Sequence, residues 1–292
     1  MDTEHLSGMA DATSVYAELV AGLGEYLQGA SLVLPDNEHF PDAVDASPEG
    51  VRILFERVLT YTPVPADTAF ELHFHAPDDE DAQGGGGCSS GGCAPKGGTS
   101  PWLLSSHALE ADSNDVWHLT VPVQDVRNPV RLMSQLSRLA GDLLLARAEL
   151  AASPRATPFE RAVRAEVAAI ACGLGPLLLA ASHMTVKGCG GLRVYEGTAL
   201  PTHSIAALTV LFAELHECRP ALRRLASGLQ PTAAEALGDA RAFFAKRSAF
   251  VQQLREMPEA ISFHCDFGPE EGFFNRVFGK SRAPLAFAPP RA

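Results

Sequence analysis

Val167-Ala168-Ala169-Ile170-Ala171-Cys172-Gly173-Leu174-Gly175-Pro176-Leu177-Leu178-Leu179-Ala180-Ala181-Ser182 is the longest apolar run of the chain. At about 16 residues it is short of the ~20 that a membrane-spanning helix needs. Gly173, Gly175 and Pro176 interrupt it, and Glu166 stands directly at its start. The run predicts a buried core helix, carried by a longer helical segment from Pro158 to Ala181. Such a helix needs equally apolar neighbours, and the second half of the chain supplies them. Pro129 to Leu150 sets Leu132, Met133, Leu136, Leu139, Leu143 and Leu150 on one stripe. Ser204 to Glu217 carries Ile205, Leu208, Phe212 and Leu215 at helical spacing, and Pro231 to Glu256 carries Leu237, Ala240, Phe244, Val251 and Leu254. No internal repeat is present.

The first half is mixed. Ser14 to Leu27 reads as an amphipathic helix through Tyr16, Leu19, Val20, Leu23 and Leu27, and Ala30 to Leu34 as a short strand ending at Pro35. Ser47-Pro48-Glu49 opens a second helix, with serine as N-cap and proline at the first helical position. Phe70 to His75 alternates Phe70, Leu72 and Phe74 against Glu71, His73 and His75, the mark of a half-buried strand. From Ala76 to Ser100 the composition changes to an acidic run followed by glycines with Cys88 and Cys93. Without apolar anchors, this stretch reads as a surface loop or disordered insertion. Strand character returns at Val116 to Val123. The expected class is α+β, with a small β-containing N-terminal part and a mainly helical C-terminal part. The divisions fall at residues 1–75, 76–100, 101–260 and a 261–292 tail.

The chain of 292 residues has 46% hydrophobic and 20% charged residues and a formal charge of −12. That balance argues for a folded domain and against nucleic acid, whose phosphates require a basic surface, and it disfavours an anionic membrane surface. The N-terminus opens on Asp2, Glu4 and Asp11 and lacks a cationic region ahead of an apolar core. A cytoplasmic location is therefore expected, with the six cysteines as reduced thiols or metal ligands.

Leu34-Pro35, Phe40-Pro41-Asp42 and Ser47-Pro48-Glu49-Gly50 followed by a helix form a pattern that resembles the opening of uncharacterised bacterial proteins of the zincin-like metallopeptidase type. The resemblance covers roughly residues 30 to 220. It implies a β-rich part leading to a helix with His-Glu-x-x-His, then a later helix with an acidic ligand ahead of a Gly-Leu-Gly segment. Gly173-Leu174-Gly175 matches that segment and Glu166 falls near the acidic position. In place of His-Glu-x-x-His the chain reads Ser137-Arg138-Leu139-Ala140-Gly141. Two imidazoles four residues apart on a helix meet one Zn²⁺ while the glutamate activates its water. Serine, arginine and glycine supply none of these roles, and the motif occurs nowhere else, so peptidase activity by that mechanism is excluded. The resemblance implies a degenerate member.

Thiols are the remaining candidates for a reactive centre. Cys88 and Cys93, with four residues between them among glycines, suit Zn²⁺ or an iron–sulfur centre if joined by Cys189, in Lys187-Gly188-Cys189-Gly190-Gly191, and by Cys265. A reversible disulfide and no role at all are the alternatives. His183 and His203 flank the Cys189 segment. His73 and His75 share a strand face, exposed in the simplest reading, with a shared metal as the alternative. Cys172 reads as an inert core thiol and Cys218, beside His216, as a helix-end residue. The glycine loop is no phosphate cradle, since no helix follows Lys96, and no Gly-x-Ser-x-Gly elbow occurs. In the tail, Phe273, Phe274, Val277 and Phe278 line one side of a short basic segment, suited to a protein partner's groove, to a membrane surface or to packing on its own domain.

The leading functional expectation is a non-peptidase binding protein that ligates zinc or a cluster through Cys88, Cys93, Cys189 and Cys265. The alternatives are an interaction or scaffold protein with a degenerate metallopeptidase shell, and a thiol-based redox enzyme.

Overall fold

A computed structural model describes residues 3–24, 26, 27, 29–41, 45–75, 115–150, 152, 153, 155–188, 191–195 and 197–268. The described chain is mostly helical, with two small pairs of strands, an α+β composition in the coarse sense.

The core is built around α4 (Pro129–Arg147), α5 (Pro158–Ala171), α6 (Gly175–Ser182) and α7 (Thr202–Leu215). Their starts are written locally. Asn128 accepts a hydrogen bond from the Arg131 N–H at 3.2 Å ahead of Pro129. Thr157 and Glu160 form a reciprocal capping box around Pro158. Helix α1 (Thr3–Leu23) packs against α5 and α7 and begins well before Ser14, because Met9 and Ala12 already reach the core. Arg164 on α5 grips Glu18 on α1 with two bonds of 3.0 and 2.7 Å. Helix α2 (Pro48–Leu59) starts as its sequence indicates, with Ser47 Oγ accepting the Gly50 N–H at 3.0 Å.

The expected strand at Ala30–Leu34 joins no sheet among the described residues. Leu32, Val33 and Leu34 are buried, which gave the stretch its strand-like composition, but the Val33 N–H donates to Gly173 O at 3.0 Å. The expected single helix Pro158–Ala181 is two helices. Gly173 takes φ +90°, and the Leu174 and Gly173 N–H groups donate back to Ala169 O and Ile170 O at 3.0 and 2.9 Å, a Schellman ending for α5. A Cβ at this glycine would lie 2.1 Å from Ser31 O, so the break and the approach of the 30–34 segment require the same residue.

The expected helix Pro231–Glu256 also divides. Helix α8 (Arg219–Gly228) precedes α9 (Pro231–Phe244), which turns at Ala245–Arg247 into α10 (Ser248–Glu256). On one straight helix, positions 244 and 250 face different ways. The turn lets the rings of Phe244 and Phe250 stack at 6.2 Å, with Phe267 against both. The last helix among the described residues, α11 (Pro258–Phe263), returns to pack on α1. No helix among the described residues is long and apolar enough to cross a membrane.

Strands β1 (Phe70–His75) and β2 (Trp117–Pro122) pair in parallel, with Phe70 opposite Trp117 and Glu71 opposite His118. Trp117, Leu119 and Val121 are buried, and Phe70 meets Phe55 of α2 edge-on at 5.1 Å. A short helix α3 (Val123–Val126) leads from β2 into α4. Strands β3 (Met184–Gly188) and β4 (Gly191–Tyr195) form an antiparallel pair inside the helical half, an element that composition alone did not suggest.

Helices α4 and α5 cross closely at Gly141. A Cβ there would sit 2.1 Å from Ala165 O and 3.0 Å from Ala169 N, both backbone atoms. On an isolated helix Gly141→Ala would stabilise by about 1 kcal/mol. Here the sign is expected to reverse, with a loss of at least about 2 kcal/mol in urea unfolding as the helices are forced apart.

Candidate metal centre

The alternation that buries Trp117, Leu119 and Val121 and packs the partly buried Phe70 against the core turns Glu71, His73 and His118 to the opposite face of the β1–β2 pair. Parallel register brings the three together. His73 Nε2 and His118 Nδ1 lie 3.0 Å apart, and Glu71 Oε2 lies 3.8 Å from the first and 3.6 Å from the second. A point in the plane of these atoms and equidistant from them is about 2.0 Å from each, matching the ~2.0–2.2 Å of zinc–nitrogen and zinc–oxygen bonds. The side chains are 39–62% exposed, so the outer side of such an ion faces water. His118 was missed in the sequence because its partners are remote in the chain. Its signal was the alternation His118, Thr120 against Trp117, Leu119, Val121, readable only once the pairing with β1 is known. His75 is in register with Pro122; its side chain lies outside the described residues.

A second group of donor atoms, Asp36, Glu38 and His39, sits in the turn after Leu34. Its charge is already met by protein: Arg224 of α8 contacts Asp36 at 2.7 Å and Glu38 at 2.8 Å, and His39 Nδ1 contacts Asp36 at 2.7 Å. This cluster holds the turn to α8.

Of the four cysteines proposed as ligands, Cys88, Cys93 and Cys189 lie outside the described residues, as do Phe273, Phe274, Val277 and Phe278. Cys265 is half-buried. Burial, with Asp266 and Asp11 nearby, pushes its thiol up to about 12, which opposes the thiolate a metal requires. Among the described residues it joins no group of three donor atoms. His183 and His203 join none either. Cys172 is buried, and burial pushes its thiol up to about 12. Cys218 Sγ contacts His216 O at 3.3 Å at the end of α7.

Helix α4 holds a polar centre of its own. Arg131, Gln135 and Arg138 recur along one face of α4. Arg131 contacts buried Asp125 at 2.6 Å, and Gln135 Nε2 donates to Asp125 at 3.4 Å. Arg138 donates to Gln135 and faces Glu166 of α5 at 3.6 Å, both ends being buried. Glu166 also accepts the Ala199 and Leu200 N–H groups at 2.8 Å each. Burial holds the Glu166 carboxyl above its ordinary value, against the opposing pull of Arg138 and the two N–H groups. Ser137 Oγ donates to Met133 O at 2.7 Å, and Gly141 is closed off by α5. The resemblance set Arg138 at the general-base position and Glu166 near the acidic one. The fold brings those two side chains together.

Comparison with protein-family models, curated proteins and solved structures finds no match to this chain.

Two measurements probe the buried centre. Arg138→Met leaves the Glu166 carboxylate without its cation and is expected to cost about 3–5 kcal/mol in chemical denaturation. Beside the pair, Asp142 is raised to about 7, first by lost hydration and then by Glu166, against the pull of Arg138 and Arg161. Its folded form holds a proton that the unfolded chain releases near pH ~4. Stability contributed by Asp142 is therefore lost as pH rises from there through about 7. Thermal melting across that window is expected to show a falling slope, which Asp142→Asn reduces.

Proposed function

We propose that this chain is a non-peptidase metal-binding protein that takes one divalent transition-metal ion on Glu71, His73 and His118. The observation that carries the reading is the spacing of three donor atoms around a point about 2.0 Å from each. Two imidazole nitrogens and a carboxylate oxygen suit zinc and its neighbours in the transition series, and do not suit an iron–sulfur cluster built on thiolates. Three protein ligands on an exposed face leave the remaining positions to water, so the ion is exchangeable. The net charge of −12 favours cations over anions around the molecule.

The buried Arg138–Glu166 pair supports the companion reading, a metallopeptidase-type shell whose internal metal has given way to a guanidinium. A fixed cation now neutralises the inward-facing carboxylate, and metal binding belongs to the sheet surface. The cysteine reading and the histidine reading are separable by variants.

Titrating Zn²⁺ into the metal-free protein by calorimetry is expected to show one equivalent bound, and the Co²⁺ form is expected to lack thiolate charge-transfer absorption. His73→Ala and His118→Ala are expected to weaken binding by more than about 100-fold, beyond the 10–100-fold typical of losing a supporting group. Cys88→Ser with Cys93→Ser is expected to leave it unchanged. Full-strength binding after removal of both histidines, or its loss in the cysteine double variant, overturns the assignment.

A further inference from the structure

A groove of about 450 Å³ lies between α1 and the start of α5, within the ~300–1,000 Å³ of ligand-sized sites. Val15 and Glu18 line it from α1, and Phe159, Glu160, Val163 and Arg164 from α5. Part of this wall is apolar and wet. Phe159 is 50% exposed, and Val15 and Val163 are only partly buried. Covering such a surface with another apolar group takes it out of water, which is favourable.

The chain passes the same side of α1 shortly before Gly268, the last described residue. Ser14 Oγ donates to Ile261 O at 3.4 Å, which seats α11 on α1, and Asp11 is near enough to Cys265 to help raise its thiol. Asp11, Val15 and Glu18 stand at i, i+4 and i+7, on one stripe of α1. From Asp11 to Val15 is therefore about 6 Å along the helix. The spacer Pro269-Glu270-Glu271-Gly272 spans up to ~14 Å when extended, enough to carry the following residues from the chain end to the groove.

The sequence beyond that spacer has the chemistry to fill it. At helical spacing Phe273, Phe274, Val277 and Phe278 share one side. Charge changes sign along the tail, from Glu270 and Glu271 in the spacer to Arg276, Lys280 and Arg282 after it. The groove and its approach carry the opposite balance, with Asp11, Glu18 and Glu160 against Arg164. Thr157 is bonded to Glu160 through Oε2, and a carboxylate has about four acceptor sites, so a guanidinium can still be met there. Tethering gives the tail an effective concentration on the order of millimolar, which a second copy matches only in a solution that concentrated.

We infer that the groove between α1 and α5 is the docking site of this chain's own segment Phe273–Phe278, its apolar side on Val15, Phe159 and Val163 and its cations toward Glu18 and Glu160.

The test is photo-crosslinking of the full chain with benzoylphenylalanine in place of Phe274, using a mixture of ¹⁵N-labelled and unlabelled protein. Mass spectrometry is expected to place the crosslinks on α1 around Val15 and on α5 between Phe159 and Val163, with both halves of each product carrying the same isotope. Phe159→Glu puts a carboxylate in the first turn of α5, where the helix tolerates it, so the far-UV spectrum is expected to stay as in the wild type. The same change is expected to lower the crosslink yield about tenfold and to quicken trypsin cleavage after Arg276 by a similar factor. Vesicles of phosphatidylcholine with phosphatidylserine are expected to leave the products unchanged. Crosslinks elsewhere, products of mixed isotope, transfer of the crosslink to lipid, or equal yield and cleavage in Phe159→Glu overturns the assignment.

Discussion

The contact between α4 and α5 is the constraint from which the rest of the architecture follows. Gly141 lets the two backbones approach until only a hydrogen atom fits between them and Ala165 O. Three residues earlier, Arg138 reaches across the same seam to Glu166. Close approach and buried charge depend on each other. At a wider crossing the guanidinium and carboxylate would be separated, and the cost of dehydrating both would have little to offset it. The carboxylate in turn anchors the Ala199 and Leu200 backbone, which sets where α7 begins. One polar contact in an apolar core thus fixes the relative placement of α4, α5 and α7.

Where local chemistry decides a feature, the sequence was readable. Ser47-Pro48 and the helical spacing through Val51, Phe55 and Val58 are found as expected in α2, and the alternation at Phe70–His75 is found in β1. The misreadings occurred where remote contacts override composition. Leu32-Val33-Leu34 is apolar and β-branched enough for a strand, yet its hydrogen bond goes to a helix ending at Gly173. Phe244 and Val251 fit one periodic stripe with their neighbours, yet the packing of Phe244, Phe250 and Phe267 on one another goes with a turn between them. Gly173 itself was visible as an interruption of the apolar run. Whether it would kink or end the helix depended on Ser31, far away in the chain.

The candidate site shows the same division. Glu71 and His73 were legible as the polar side of a strand. Their third member, His118, is legible as part of another strand, but its position opposite Glu71 is a property of register. Thiol chemistry drew more weight in the sequence because glycine-flanked cysteines stand out one-dimensionally. Histidines from two strands make no local pattern. Likewise Arg138 was read only for the chemistry it lacks, while its buried partner at Glu166 required the crossing of two helices.

The parallel pairing of β1 and β2 carries a consequence for how the molecule is assembled. Two parallel strands cannot close through a tight turn, so a long connection separates Glu71 and His73 from His118. Joining them means closing a large loop, and such contacts are entropically late in folding. An ion that binds only the closed arrangement would draw the chain toward it by mass action. The first part of the sheet to gain from metal is then the ordering of its own strands.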